Sequence, residues 1–161
     1  MADNLFFIIT LLSALGCGLV AVVFFIFSNT VMSALAQLRP PQGVAAMQSI
    51  NRTILNLLFF VVFIGAAVLS VLLALSLFWN WGQPGSLYLL IGCLIYLVGA
   101  FLVTIVFNVP MNEALANVEP GSVEAANLWA RYLNDWTAWN HVRTFASFLG
   151  AVSFIFALRQ L

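Results

Sequence analysis

The sequence predicts an all-α integral membrane protein, an antiparallel four-helix bundle with a polar helical excursion between its third and fourth helices. Three observations point there. Only 6% of the 161 residues are charged and mean hydropathy is +1.10, whereas a soluble domain covers its surface with about 25% charged residues. Charge-free apolar runs recur at the length of about 20 residues that crosses a hydrocarbon core of about 30 Å. The breaks between the first three runs are short, so successive helices must reverse direction. Five arginines, no lysine and five acids leave neither a nucleic-acid-binding stripe nor an acidic tail. No repeat or linker divides residues 1–161, which read as one transmembrane domain with spans near 5–27, 54–79, 87–109 and 139–158.

The first run, Leu5 to Phe27, is too long for a signal peptide and follows Asp3, where a signal places Lys or Arg. Uncharged polar residues extend the helix through Ser28 to Leu38, until Arg39, Pro40 and Pro41 stop it. Helix 2 is expected to begin near Val44, because Met47, Ile50, Ile54 and Leu57 keep helical spacing, and to end at Trp79 to Trp81 before a Gly82-Gln83-Pro84-Gly85 turn. Trp79, Trp81 and Tyr88 are placed as interfacial anchors.

Helix 3 meets Pro110, which either frees the carbonyl of Val106 or restarts the chain as a new turn. After Glu119-Pro120-Gly121, Ser122 is an N-cap with Glu124 in the first turn, and one long helix runs to Leu158. At about 100° per residue, Trp129, Tyr132, Trp136, Trp139, Asn140, Arg143 and Ser147 fall on one stripe of that helix, facing the bundle. Glu124, Arg131 and Asp135 fall on the opposite, water-facing side, with His141 about 160° from Arg143.

Ala14 with Gly18 and Ala146 with Gly150 have the spacing of close helix approaches, within one chain or across a homo-oligomer. Cys17 and Cys93, with no ligand partner at suitable spacing, read as small buried hydrophobes. Asn51-Arg52-Thr53 matches a glycosylation sequon by chance at a membrane boundary. Arg39, Arg52, Arg131 and Arg143 lie toward one face and Arg159 toward the other, which places both termini outside a plasma or inner membrane.

The unusual polar residues gather at one face: Gln48, Asn51 and Arg52 on helix 2, Asn108 and Asn112 on helix 3, Asn140 and Arg143 on helix 4. An arginine inside a span is costly and faces a cavity or a partner, or else snorkels to the headgroups. Asn108 and Asn112 share a helix face and either serve chemistry or satisfy backbone freed by Pro110. Gln48 and Asn51 either line the site or bond between helices. His141, the single histidine, is a candidate base or a solvent-facing residue; without further ligands at suitable spacing no metal site is expected.

Phe107-Asn108-Val109-Pro110-Met111-Asn112, then Trp129, Tyr132, Trp136 and Trp139-Asn140-His141-Val142-Arg143-Thr144, with Met47-Gln48-Ser49-Ile50-Asn51, resemble the signature of the small four-helix membrane family that contains the anthrone oxygenases. The resemblance covers nearly the whole chain. It implies oxidation of anthrones to anthraquinones by molecular oxygen without a metal or flavin cofactor; it implies no catalytic residues. From the residues themselves, Trp136, Trp139 and Tyr132, with Gln48, Asn51 and Arg52, are expected to bind a flat apolar or amphipathic small molecule. Arg143, Asn140, Asn108 and Asn112 would stabilise an enolate and developing peroxide, with His141, Glu113 or solvent as base. The alternative is a non-catalytic small-molecule-binding or accessory membrane protein using the same polar cavity.

Overall fold

The computed structural model describes residues 2–160, which form helices and short turns, with no strand among the described residues. Four helices are long and apolar enough to cross a membrane: Asn4–Leu35, Leu57–Trp79, Ser86–Ala116 and Val123–Leu158. These are the first to fourth spans. Each packs on its sequence neighbour and the fourth closes against the first, so the spans form a ring in chain order.

In the first span, α1 (Ala2–Ile26) passes through a π-helical turn, Phe27–Val31, into α2 (Met32–Leu35). The chain restarts as α3 (Pro40–Ile54), with proline in its first turn, where a missing N–H costs nothing. Here the structure corrects the sequence reading. The second span does not begin near Val44: α3 is a separate amphipathic helix, and α4 (Leu57–Asn80) begins after a break at Leu55 and Asn56. Asn56 makes the break, its side chain accepting from the Phe59 N–H at 3.0 Å as an N-cap does.

Trp79 and Trp81 at the far end of α4 are exposed, Trp79 by 82%, as interfacial anchors should be. Gly85 turns the chain at φ 86°, a left-handed conformation natural to glycine, and α5 (Ser86–Tyr96) follows. Two π-helical stretches, Leu97–Leu102 and Thr104–Asn108, lead into α6 (Val109–Ala116). Pro110 therefore neither breaks the helix nor starts a separate turn, because it occupies the first turn of α6 directly behind the π-helical register.

Ser122 caps α7 (Val123–Leu158), accepting from the Ala125 N–H at 3.0 Å. The 36 residues of α7 reach about 54 Å, well beyond the hydrocarbon. The polar excursion is thus α6 and the first third of α7, each continuous with a span.

Two hydrophobic cores result. One lies among the spans and includes Cys17, Phe24, Phe63, Cys93, Tyr96 and Phe154. The other lies at the polar end, where Val44 and Met47 of α3 meet Leu115, Trp129, Tyr132 and Trp136. Ala146 and Gly150 pack inside the chain: a Cβ on Gly99 would come within 2.6 Å of the Ala146 Cβ, and one on Gly150 within 3.5 Å of the Gly92 carbonyl. Gly18, by contrast, faces open space.

Candidate functional site

Between the two cores lies a polar layer centred on Arg143. The guanidinium is 4% exposed and its carbon stands 4.1 Å from the Phe24 ring centre, in one core, and 5.1 Å from that of Trp136, in the other. One amino group donates to Asn140 Oδ1 at 2.5 Å and the other to Thr104 Oγ1 at 3.3 Å. Nε has no partner. Glu113, Glu119, Glu124 and Asp135 are all exposed, and no ion pair to Arg143 occurs among the described residues. A buried cation in this position is stabilised by ring faces and neutral oxygens alone.

Asn140 is fixed from three sides. It donates to the Phe24 carbonyl at 2.6 Å and to Ser28 Oγ at 2.5 Å while its own oxygen accepts from Arg143. Ser28 lies in the π-helical turn of the first span and Thr104 in that of the third, so two of the three π-helical segments supply partners to this layer. Such segments concentrate at functional sites because they re-aim side chains. Asn108 donates to the Trp136 carbonyl at 3.2 Å, leaving its buried Oδ1 without a partner; Ser147 Oγ, one turn from Arg143, is also buried and unpartnered. An orphaned guanidinium N–H, an amide oxygen and a hydroxyl are thus buried without partners on residues of the third and fourth spans.

The other polar residues hold the polar end together. Asn112 Oδ1 accepts from Tyr132 OH at 2.7 Å and from Trp136 Nε1 at 2.8 Å. Gln48 donates to the carbonyls of Leu115 and Val118 at 2.8 and 3.0 Å, satisfying acceptors that a helix end leaves free. Asn51 reaches Tyr132 OH at 3.5 Å; half-buried and turned inward, it is poorly placed as a glycosylation acceptor. Trp129, Tyr132 and Trp136 stack on one another, centroids 5.6 Å apart in both pairs. The faces that Tyr132 and Trp136 present to each other are therefore already occupied. Trp139 stands apart and stacks on Phe107, at 3.6 Å and 7°.

Two candidates lie outside the network. Arg52 is exposed at the end of α3. His141 is half-buried, and because α7 is unbroken there its side chain leaves the helix about 160° from that of Arg143. Among the described residues no group of three His, Cys, Asp or Glu is placed to hold a metal ion. Sequence reasoning did not find Thr104, Ser28 and Phe24: hydroxyls and phenylalanines inside apolar runs carry no signal until a partner helix is placed beside them. Phe107 was visible only as part of a motif.

Fold and site together define a membrane four-helix bundle with one buried, uncompensated cation between its cores. The chain belongs to the anthrone oxygenase family, whose description matches residues 58–153, from the second span to most of the fourth. No curated protein and no solved structure matches the chain.

Proposed function

We propose that this protein is a membrane-embedded oxygenase that uses molecular oxygen, without a cofactor, on a flat phenolic, anthrone-like or quinone-like substrate. The observation that supports this reading most is Arg143, buried among spans with no described acid beside it and with a free N–H. A cation held in this way, with one N–H still free, is suited to receive an anion.

An anthrone supplies such an anion. Loss of its ring-methylene proton gives an enolate, electron-rich enough to reduce oxygen directly; carbon–oxygen bond formation gives a peroxide, and loss of water leaves the quinone. One anthrone and one O2 thus yield one anthraquinone and one water. Arg143 would hold the enolate oxygen and then the peroxide, with Asn140 fixing the guanidinium; removing one such donor typically lowers turnover about 10²–10³-fold. Solvent takes the proton in this reading, since His141 leaves α7 about 160° from Arg143 and Glu113 is exposed. The Arg143 side of the molecule is assigned to the cytoplasm and both termini to the outside: Arg39, Arg52 and Arg131 outnumber Arg159 even with Arg143 removed from the count.

The test is turnover in lipid nanodiscs, following quinone absorbance and oxygen uptake with anthrone and related hydroquinones. Rates above the spontaneous background that vanish in Arg143→Met are expected. Background rates with all substrates would overturn the reading. The position of His141, on the side of α7 away from Arg143, favours a second reading, a non-catalytic binding or accessory protein. That reading predicts Arg143-dependent binding of the same compounds without turnover.

A further inference from the structure

We propose that a flat aromatic substrate reaches Arg143 sideways from the bilayer, through the seam between the third and fourth spans, and that the stacked rings of Phe107 and Trp139 close this portal and select for planarity. The proposal rests on the reading of Arg143 as the substrate-anion site.

The seam changes along its length. At its deep end the two spans meet tightly at glycines, Gly99 against Ala146 and Gly92 against the Phe154 ring, where an added Cβ would come within 2.6 and 2.9 Å of its neighbour. Toward the polar end it must hold the Arg143 guanidinium and Thr104, and then two aromatic rings. Trp139 precedes Arg143 by four residues and Phe107 follows Thr104 by three. On both helices the ring pair therefore lies about one turn, or about 5 Å, beyond the Arg143 to Thr104 contact.

This pair differs from the other aromatic stack of α7. Tyr132 and Trp136 are buried and tied by their polar tips to Asn112. Phe107 is 36% exposed and Trp139 half-buried, and no hydrogen bond to Trp139 Nε1 occurs among the described residues. Stacking alone joins their rings. Phe107 also belongs to the π-helical stretch Thr104–Asn108, a segment type frequent at functional sites.

A planar ring sliding between Phe107 and Trp139 replaces one stacked contact with two, and its leading oxygen then points at Arg143. A bulky aliphatic anion breaks the stack without replacing it. The portal therefore discriminates by shape, and the guanidinium by charge.

The experiment compares one protein in two states. Phe107→Cys/Trp139→Cys in nanodiscs is mixed with 1,8-dihydroxyanthraquinone in a stopped-flow instrument, before and after oxidation to the disulfide, which mass spectrometry verifies. Oxidation should slow association at least ten-fold and reductant should restore it; equal rates in both states overturn the portal. If the disulfide does not form, Phe107→Ala/Trp139→Ala decides. It should speed association at least three-fold and lose the preference for this phenol over adamantane-1-carboxylate, and unchanged rate and preference overturn the portal. A native protein that fails to bind the probe, or an Arg143→Met variant that binds it equally well, overturns the site reading and the portal with it. Arg143-dependent binding that ignores closure overturns the portal alone.

Discussion

The Arg143 guanidinium lies over the Phe24 ring, its carbon 4.1 Å from the ring centre, so that a cation from the fourth span caps an aromatic from the first. Asn140 ties the same two helices by bonding both the Phe24 carbonyl and Arg143. A guanidinium within a span costs about 2.5–3.5 kcal/mol at the membrane centre. Ring contacts and charge-assisted hydrogen bonds to Asn140 and Thr104 offset that cost.

Replacing Arg143 by methionine should therefore separate function from fold. The desolvation cost disappears with the hydrogen bonds, and the one acceptor left without a donor, Asn140 Oδ1, costs about 1–3 kcal/mol, a Tm loss of no more than about 10 °C in a chain of this size. Binding of 1,8-dihydroxyanthraquinone should fall at least ten-fold in the same preparation. Thermal unfolding in detergent and equilibrium binding check the two halves, and a Tm loss above about 10 °C would make Arg143 a structural residue instead.

Asn112 should behave in the opposite way. Its Oδ1 is the acceptor shared by Tyr132 OH and Trp136 Nε1. Asn112→Ala strands two buried donors at about 1–3 kcal/mol each, which predicts a loss of about 2–5 kcal/mol. Asn112→Asp keeps an acceptor for both and should recover most of it. Asn112→Leu keeps side-chain volume without an acceptor and should not recover the loss; recovery by Asn112→Leu in denaturant unfolding would mean that volume, not the shared acceptor, carries the effect.

The spans, the Ser122 cap and the stripe from Trp129 to Ser147 were legible because each depends on local spacing along one helix. The Asn56 cap was missed for a physical reason: the helical spacing of Met47, Ile50, Ile54 and Leu57 runs straight across it, and a single N-cap of about 1 kcal/mol leaves no mark on that pattern. At the site, sequence picked out Arg143, Asn140 and Asn108, whose polarity is anomalous in a membrane. It could not divide them from Gln48, Asn51 and Asn112, because that division depends on which helix supplies each partner. Nor could it show that Tyr132 and Trp136 spend their faces on each other.

Topology gives a third prediction. With both termini outside, the Gly82 to Gly85 turn faces outward and the Asn117 to Ser122 turn faces the cytoplasm. A cysteine at Gln83 should react with a membrane-impermeant maleimide in intact cells, and one at Glu119 only after permeabilisation. The reverse pattern inverts the orientation and removes the arginine bias as its explanation.

The last prediction concerns the deep end of the seam. A Cβ on Gly99 would lie 2.6 Å from the Ala146 Cβ, far inside van der Waals contact, and both atoms are fixed to helix backbones that cannot yield separately. Gly99→Ala should force the third and fourth spans apart and cost about 1–3 kcal/mol, the usual range for overpacking. Ala146→Gly alone opens a small gap and costs less. Combined, the two changes move one methyl from one helix to the other across the same contact, so Gly99→Ala/Ala146→Gly should be more stable than Gly99→Ala by at least 1 kcal/mol. A double-mutant cycle on detergent unfolding reads this coupling directly, and additive losses would mean that the spans do not meet at these two residues.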